Sequence, residues 1–152
     1  MIGTVDVYHR NDGDLYIVSY SRSLNGPFVL NGWCRTLPAD SPDESLGEAV
    51  LEGLAVGGRQ VLEESSDELK KHLKPLLRLA GVKSFTAFAA GALSVGIETD
   101  VTGSITFSPT ENRGRRGGFM FRSEGSIKSP AKVESAEVGR LVREVMKSSS
   151  TL

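Results

Sequence analysis

Apolar and polar positions divide the chain into short runs with the period of a strand and longer runs with the period of a helix. Thr4-Val5-Asp6-Val7-Tyr8 reads as a first strand, and Asn11-Asp12-Gly13-Asp14 closes it with an Asp-Gly pair suited to a tight hairpin. Leu15 to Ser21 reads as the second strand. After Asn25-Gly26-Pro27, Phe28-Val29-Leu30 with Trp33 supplies a third, bent at Gly32. Ser41-Pro42-Asp43-Glu44 has the form of a capping box, with Ser41 as N-cap and Pro42 at the first helical position. The helix it opens carries Leu46, Ala49, Val50, Gly53 and Leu54 on one face. Gly57-Gly58 offers the left-handed conformation that ends it.

A second cap at Ser65-Ser66-Asp67-Glu68 opens Leu69, Leu73, Leu76, Leu77 and Ala80 at helical spacing. Pro75 is expected to kink or restart that helix, and Gly81 to close it. Ser84 to Ala92 fits a helical turn capped by Ser84 or the start of a strand, and the short helix is favoured. Leu93 to Thr99 and Ser104 to Ser108 read as strands around the turn Asp100-Val101-Thr102-Gly103. A loop from Pro109 to Gly118 leads to a sixth strand at Phe119-Met120-Phe121. The last helix starts near Ser135 and buries Val138, Leu141, Val142 and Val145.

One pattern occurs twice. Pro38-Ala39, Leu46-Gly47, Val50, Glu52 and Leu54 return 92 residues later as Pro130-Ala131, Val138-Gly139, Val142, Glu144 and Met146. Each copy follows strand-like runs, so the expected fold is α+β: an antiparallel sheet of about six strands, built from two pseudo-repeated βββα units, with helices covering one face. Residues 1–147 form one domain and 148–152 a polar C-terminal tail. At 152 residues the chain is large enough for one buried core.

Composition adds a compartment. The single cysteine, Cys34, has no internal disulfide partner, and the first residues lack a secretory signal, so a reducing cytoplasm is expected. No apolar run is long enough to cross a bilayer, and no membrane partner is expected.

Net charge is −1, but it is unevenly spread. Residues 40–68 hold Asp40, Asp43, Glu44, Glu48, Glu52, Glu63, Glu64, Asp67 and Glu68 against Arg59 alone, whereas residues 113–147 hold nine Lys or Arg against four Glu. Glu44, Glu48 and Glu52 stand at i, i+4 and i+8, where like charges repel by a few tenths of a kcal/mol per pair. Such a stripe is either a plain solvated face or a docking surface for a basic partner.

Catalysis finds little support. His9 and His72 have no metal-ligand neighbours at zinc-site spacing, and Cys34 has no evident base, so no metal, cofactor or enzymatic activity is expected. Arg113, Arg115 and Arg116 lie in a glycine-rich loop that would suit an anion. No Walker lysine and serine follow it, and a strand, not a helix, comes next. A regulatory module binding a small ligand or nucleotide through Arg113 to Gly118 is therefore the alternative function. Trp33 is a candidate interface anchor, although an apolar strand makes core packing its more natural role.

Ala80-Gly81-Val82-Lys83-Ser84-Phe85-x-x-Phe88, Pro109-x-x-Asn112-x-Gly114, Gly118-Phe119, and Leu46-Gly47-Glu48-Ala49-Val50-Leu51-Glu52 after Trp33 follow one another in an order that resembles immunity proteins of bacterial contact-dependent growth inhibition systems. The likeness spans nearly the whole chain, with Phe85 where that family often has Trp. It implies a cytoplasmic antidote that binds the toxic C-terminal domain of a large surface protein and blocks its active site or substrate surface. Some toxins paired with similar proteins are ribonucleases with basic clefts. Beside that implication the acidic residues become toxin-binding candidates, mimicking a phosphate backbone, and no direct nucleic-acid contact is expected.

Overall fold

Val5 and Val7 point to one side of their strand, and Tyr8, with Asp6, to the other, so this strand has two faces to cover. The computed structural model describes residues 2–23, 26–59 and 66–152. Within them β1 (Thr4–His9), β2 (Asp14–Arg22) and β3 (Phe28–Pro38) form a meander, followed by α1 (Asp43–Gly57), α2 (Ser66–Ala80) and α3 (Phe85–Ala89). Then come β4 (Leu93–Thr99), β5 (Ile105–Asn112), β6 (Phe119–Phe121), β7 (Ile127–Ser129), α4 (Ser135–Met146) and β8 (Ser150–Thr151). The expected α+β class holds, with an eight-stranded sheet ordered β3-β2-β1-β4-β5-β6. β7 pairs with β5 beside β6, and β8 pairs with β5 in parallel.

Helices cover both faces of the sheet, a correction to the one-faced expectation. α1 and α4 bury Leu46, Val50, Val138 and Val142 against Val5, Val7, Ile17 and Phe107. On the opposite face α2 and α3 bring Leu76 and Phe88 onto Tyr8, Tyr16 and Val18. The reason lies in β2, with Leu15 and Ile17 on one side and Tyr16 and Val18 on the other, and in Tyr8 of β1, which would lose their burial under a single helical layer.

The doubled pattern is a structural near-symmetry. At the crossing of α1 and α4, a Cβ on Gly47 would collide with the Ser135 carbonyl oxygen, and one on Gly139 with that of Asp43. These contacts exchange under the same 92-residue shift, as an approximate two-fold axis requires. The antiparallel pairing of β1 with β4, which sets Asp6 opposite Gly96, continues that relation through the sheet. β3 pairs with β2 across a register break between Val18 and Tyr20, and Gly32 sits in the bend at φ 88°. In the second unit the equivalent strand is cut into β6 and β7, with Gly125 also at φ 88° in the interruption.

Several local expectations need correction. No capping box forms: the N-cap is Pro42, at φ −57° and ψ 148°, with no side-chain capping bond. Its carbonyl accepts from Leu46 N–H, and Asp43 and Glu44 in the first turn oppose the positive helix end. At the other end Gly58 is right-handed (φ −69°, ψ −9°), not left-handed. Gly57 is needed for packing instead, since a Cβ there would sit 2.6 Å from the Tyr20 carbonyl oxygen.

α2 runs through Pro75 without a restart and ends where expected, with Gly81 at φ 69° and Val82 N–H bonded to the Leu77 carbonyl. The favoured helix at Ser84 is present, and the Ser84 hydroxyl accepts from Ala87 N–H. β5 extends to Asn112, so the expected loop from Pro109 shrinks; the Pro109 carbonyl accepts from Arg122 N–H. Residues 148–152 are polar but not a free end, because β8 lies within them and Ser149 Oγ donates to the Ser94 carbonyl at 2.6 Å.

Candidate functional site

Burial on α1 follows its helical period, leaving Glu44, Glu48 and Glu52 in solvent on the side away from the core. The three are not equivalent. Glu52 pairs with Arg35 Nη2 of β3 at 2.6 Å, and that guanidinium also stands 5.6 Å over the Trp33 ring. Asp43 accepts from Arg143 Nε of α4 at 2.7 Å, while Arg143 donates to the carbonyls of Ala39, at 2.7 Å, and Ser41. Asp43 is therefore a tie between the two pseudo-repeated helices. Glu44, Glu48 and Asp40 are exposed and have no ion-pair partner among the described residues.

The nine acidic candidates do not share one surface. Asp67 and Glu68 are exposed in the first turn of α2, across the sheet from α1. Glu63, Glu64 and the Ser65 cap lie outside the described residues. The acidic surface of α1 thus reduces to Glu44 and Glu48, with Asp40 in the loop before them. On α4 the matching stripe is Ala136, Arg140 and Glu144, where Arg140 pairs with Glu137 and Lys147 with Glu144 at 3.2 Å. One helix of the pair is internally neutralised, and its twin carries uncompensated charge.

The arginine loop is folded on itself. Arg113 N–H donates to the Gly118 carbonyl, Gly118 N–H to the Gly114 carbonyl, and Gly114 N–H to Asn112 Oδ1. Those three amides are already committed, and they would have been the donors of an anion nest. Arg113 also lies 3.4 Å from Glu111, while Arg115 and Arg116 extend into solvent. A shallow pocket of about 120 Å³ beside the loop is lined by Phe85, Phe119 and Arg115.

Trp33 is half-buried and packs on the α1-side core; a Cβ at Gly53 would stand 2.8 Å from its ring. It therefore serves packing first. Cys34 is half-buried, and burial pushes its thiol above the ordinary value, away from nucleophilic use. His72 Nδ1 is 3.1 Å from the Leu30 carbonyl oxygen. His9 lines a mostly apolar cavity of about 210 Å³ with Leu46, Met146 and Arg143. Among the described residues no group of three His, Cys, Asp or Glu side chains could hold a metal ion, and no helix is long and apolar enough to cross a membrane.

One cluster went unrecognised in the sequence. Tyr8 Oη donates to Asp6 Oδ2 at 3.2 Å and lies 3.2 Å from Tyr20 Oη. Burial pushes the Asp6 carboxyl up from its ordinary 3.8 to about 6, against the opposing effect of the tyrosine hydrogen bonds. The i, i+2 spacing of Asp6 and Tyr8 on a strand was the available signal. Close by, Arg10 is buried, donates to the Phe88 carbonyl at 2.8 Å and stacks 5.1 Å over the Phe88 ring. Its role is to hold α3 on the sheet.

No curated protein matches the sequence. Among solved structures, a protein of unknown function from Neisseria meningitidis superposes with a TM-score of 0.78 at 18% identity, covering 98% of this chain and 96% of the other. The CdiA-CT/CdiI toxin and immunity complex from Yersinia pseudotuberculosis matches with a TM-score of 0.75 at 17% identity, covering 98% of both chains. These likenesses establish a shared fold. The sequence itself matches the CDI immunity protein profile, CdiI, over residues 8–149. A match of that extent identifies the chain as a member of the CDI immunity protein family.

Proposed function

We propose that this protein is a non-catalytic antidote that binds the C-terminal toxin domain of a contact-dependent growth inhibition system in the cytoplasm and covers its active site or substrate surface. Family membership and the likeness to a toxin and immunity complex support the toxin as partner. The toxin is a nuclease in this reading, and the acidic face of α1 takes the place of its nucleic-acid substrate. The observation that carries this choice is the contrast between the twin helices: Glu44 and Glu48 stand exposed with no ionic partner among the described residues, while the exposed acids of α4 are paired.

Uncompensated charge of one sign accelerates encounter with a basic cleft, most strongly at low salt, and suppresses wrong partners. Affinity comes from a few desolvated contacts within an interface of about 1,600 Å² in total. Reversing Glu44→Lys and Glu48→Lys together should leave the far-ultraviolet dichroism and melting temperature near those of the native protein. It should slow association with the cognate toxin domain by about tenfold at low ionic strength, with a smaller effect at high salt. Unchanged association at low salt would remove this face from the mechanism. Nucleic-acid cleavage by the isolated toxin, suppressed at a one-to-one ratio of this protein, tests the nuclease assignment separately; a toxin without such activity refutes it.

A further inference from the structure

Beyond α2 and α3 no other helix among the described residues covers the second face of the sheet, and there the Phe121 side chain crosses β5 to lie against Gly96 of β4. Any side chain at position 96 would collide with the ring. A glycine inside a strand weakens it and marks a place where another group approaches closely. The seated ring is nonetheless 69% exposed, so its outer surface is bare. Beside it is a bowl of about 130 Å³ lined by Thr4, Gly96, Glu98, Thr106 and Ser108. Glu98 stands between Thr4 and Thr106 in the register of β1, β4 and β5. Its carboxylate is exposed with no partner among the described residues.

We propose that this bowl holds a lysine or arginine side chain of a protein partner. The Glu98 carboxylate supplies the opposite charge, the hydroxyls of Thr106 and Ser108 accept N–H donors, and the bare ring face adds a cation–π contact. Phosphate, and so nucleic acid or an anionic membrane, would meet Glu98 as a like charge. An apolar group would leave the carboxylate without a partner. The bowl lies across the sheet from α1, so it is a separate surface. Its chemistry does not depend on the toxin-binding assignment.

Titration of the whole protein with Nα-acetyl-L-arginine amide, followed by amide nuclear magnetic resonance, tests the assignment directly. Saturable shifts centred on Gly96, Glu98 and Phe121 are expected, with a Kd on the order of 10 mM for this single side chain. Glu98→Gln should weaken the response about fivefold, and Phe121→Leu, which keeps an apolar side chain while removing the aromatic face, should also weaken it. Absence of shifts at these residues, an equal response to Nα-acetyl-L-glutamine amide, or an undiminished response in Glu98→Gln would overturn the proposal. Because no toxin is present, such a failure leaves the α1 surface untouched, and a failure of the Glu44 and Glu48 reversals leaves the bowl untouched.

Discussion

At the scale of a single residue, the burial of Asp6 couples stability to pH. Its carboxyl titrates near 6 in the folded chain against an ordinary 3.8, so between these values the folded state binds more protons than the unfolded one. The associated stability is fully present below pH 3.8 and is lost as pH rises through 6. By this group alone, stability should fall by about 2–3 kcal/mol from pH 4 to pH 7. Asp6→Asn keeps an acceptor for Tyr8 and removes the titration, so its urea midpoint should change less over that interval. A variant with the same pH slope as the native protein would assign the slope to other groups.

The pair of helices is the unit in which both stability and charge are decided. Gly47 and Gly139 let α1 and α4 approach until each helix backbone meets the first turn of the other, and Arg143 ties that crossing to Ala39, Ser41 and Asp43. Gly47→Ala gains helix propensity but forces the backbones apart, so the overpacking cost prevails. The expected loss is about 3 kcal/mol, with a fall in melting temperature of roughly 10 °C by calorimetry. A melting temperature equal to or above the native one would refute the close crossing. Gly139→Ala should behave alike, as the approximate two-fold relation demands.

Across the whole molecule, the two units are joined at β1 and β4 and the chain end is sewn back into the sheet. Ser149 Oγ bridges Thr110 N–H and the Ser94 carbonyl, and Leu152 N–H donates to the Asn112 carbonyl at 3.1 Å. At about 1 kcal/mol net for each bond, removal of residues 148–152 should cost about 3 kcal/mol in urea denaturation. It should also speed amide exchange in β4 and the end of β5, whereas unchanged exchange there would mean that β8 contributes nothing to the sheet. The same scale separates the two proposed surfaces, since α1 and the Phe121 bowl lie on opposite sides of the sheet and one compact partner covers only one of them.

Local chemistry was enough for much of the architecture. The Asp12-Gly13 turn, the bend at Gly32, the Ser84 cap, the Gly81 stop and the apolar periods of α1 and α4 depend on residues within a few positions of one another, so the sequence alone specified them. The same is true of the doubled unit, because equivalent glycines occupy equivalent crossings. Only the tertiary structure decided which side chains those elements leave available. Arg143 acts from about a hundred residues away on the loop before α1, where the Ser41 capping box does not form, and it occupies Asp43; Arg35 occupies Glu52. β7 and β8 are too short for any alternation and exist because β5 offers them an edge. The repeat pointed to α1 as the place of divergence, but long-range pairing narrowed its acidic face to Glu44 and Glu48, because charge availability depends on neighbours that sequence separation conceals.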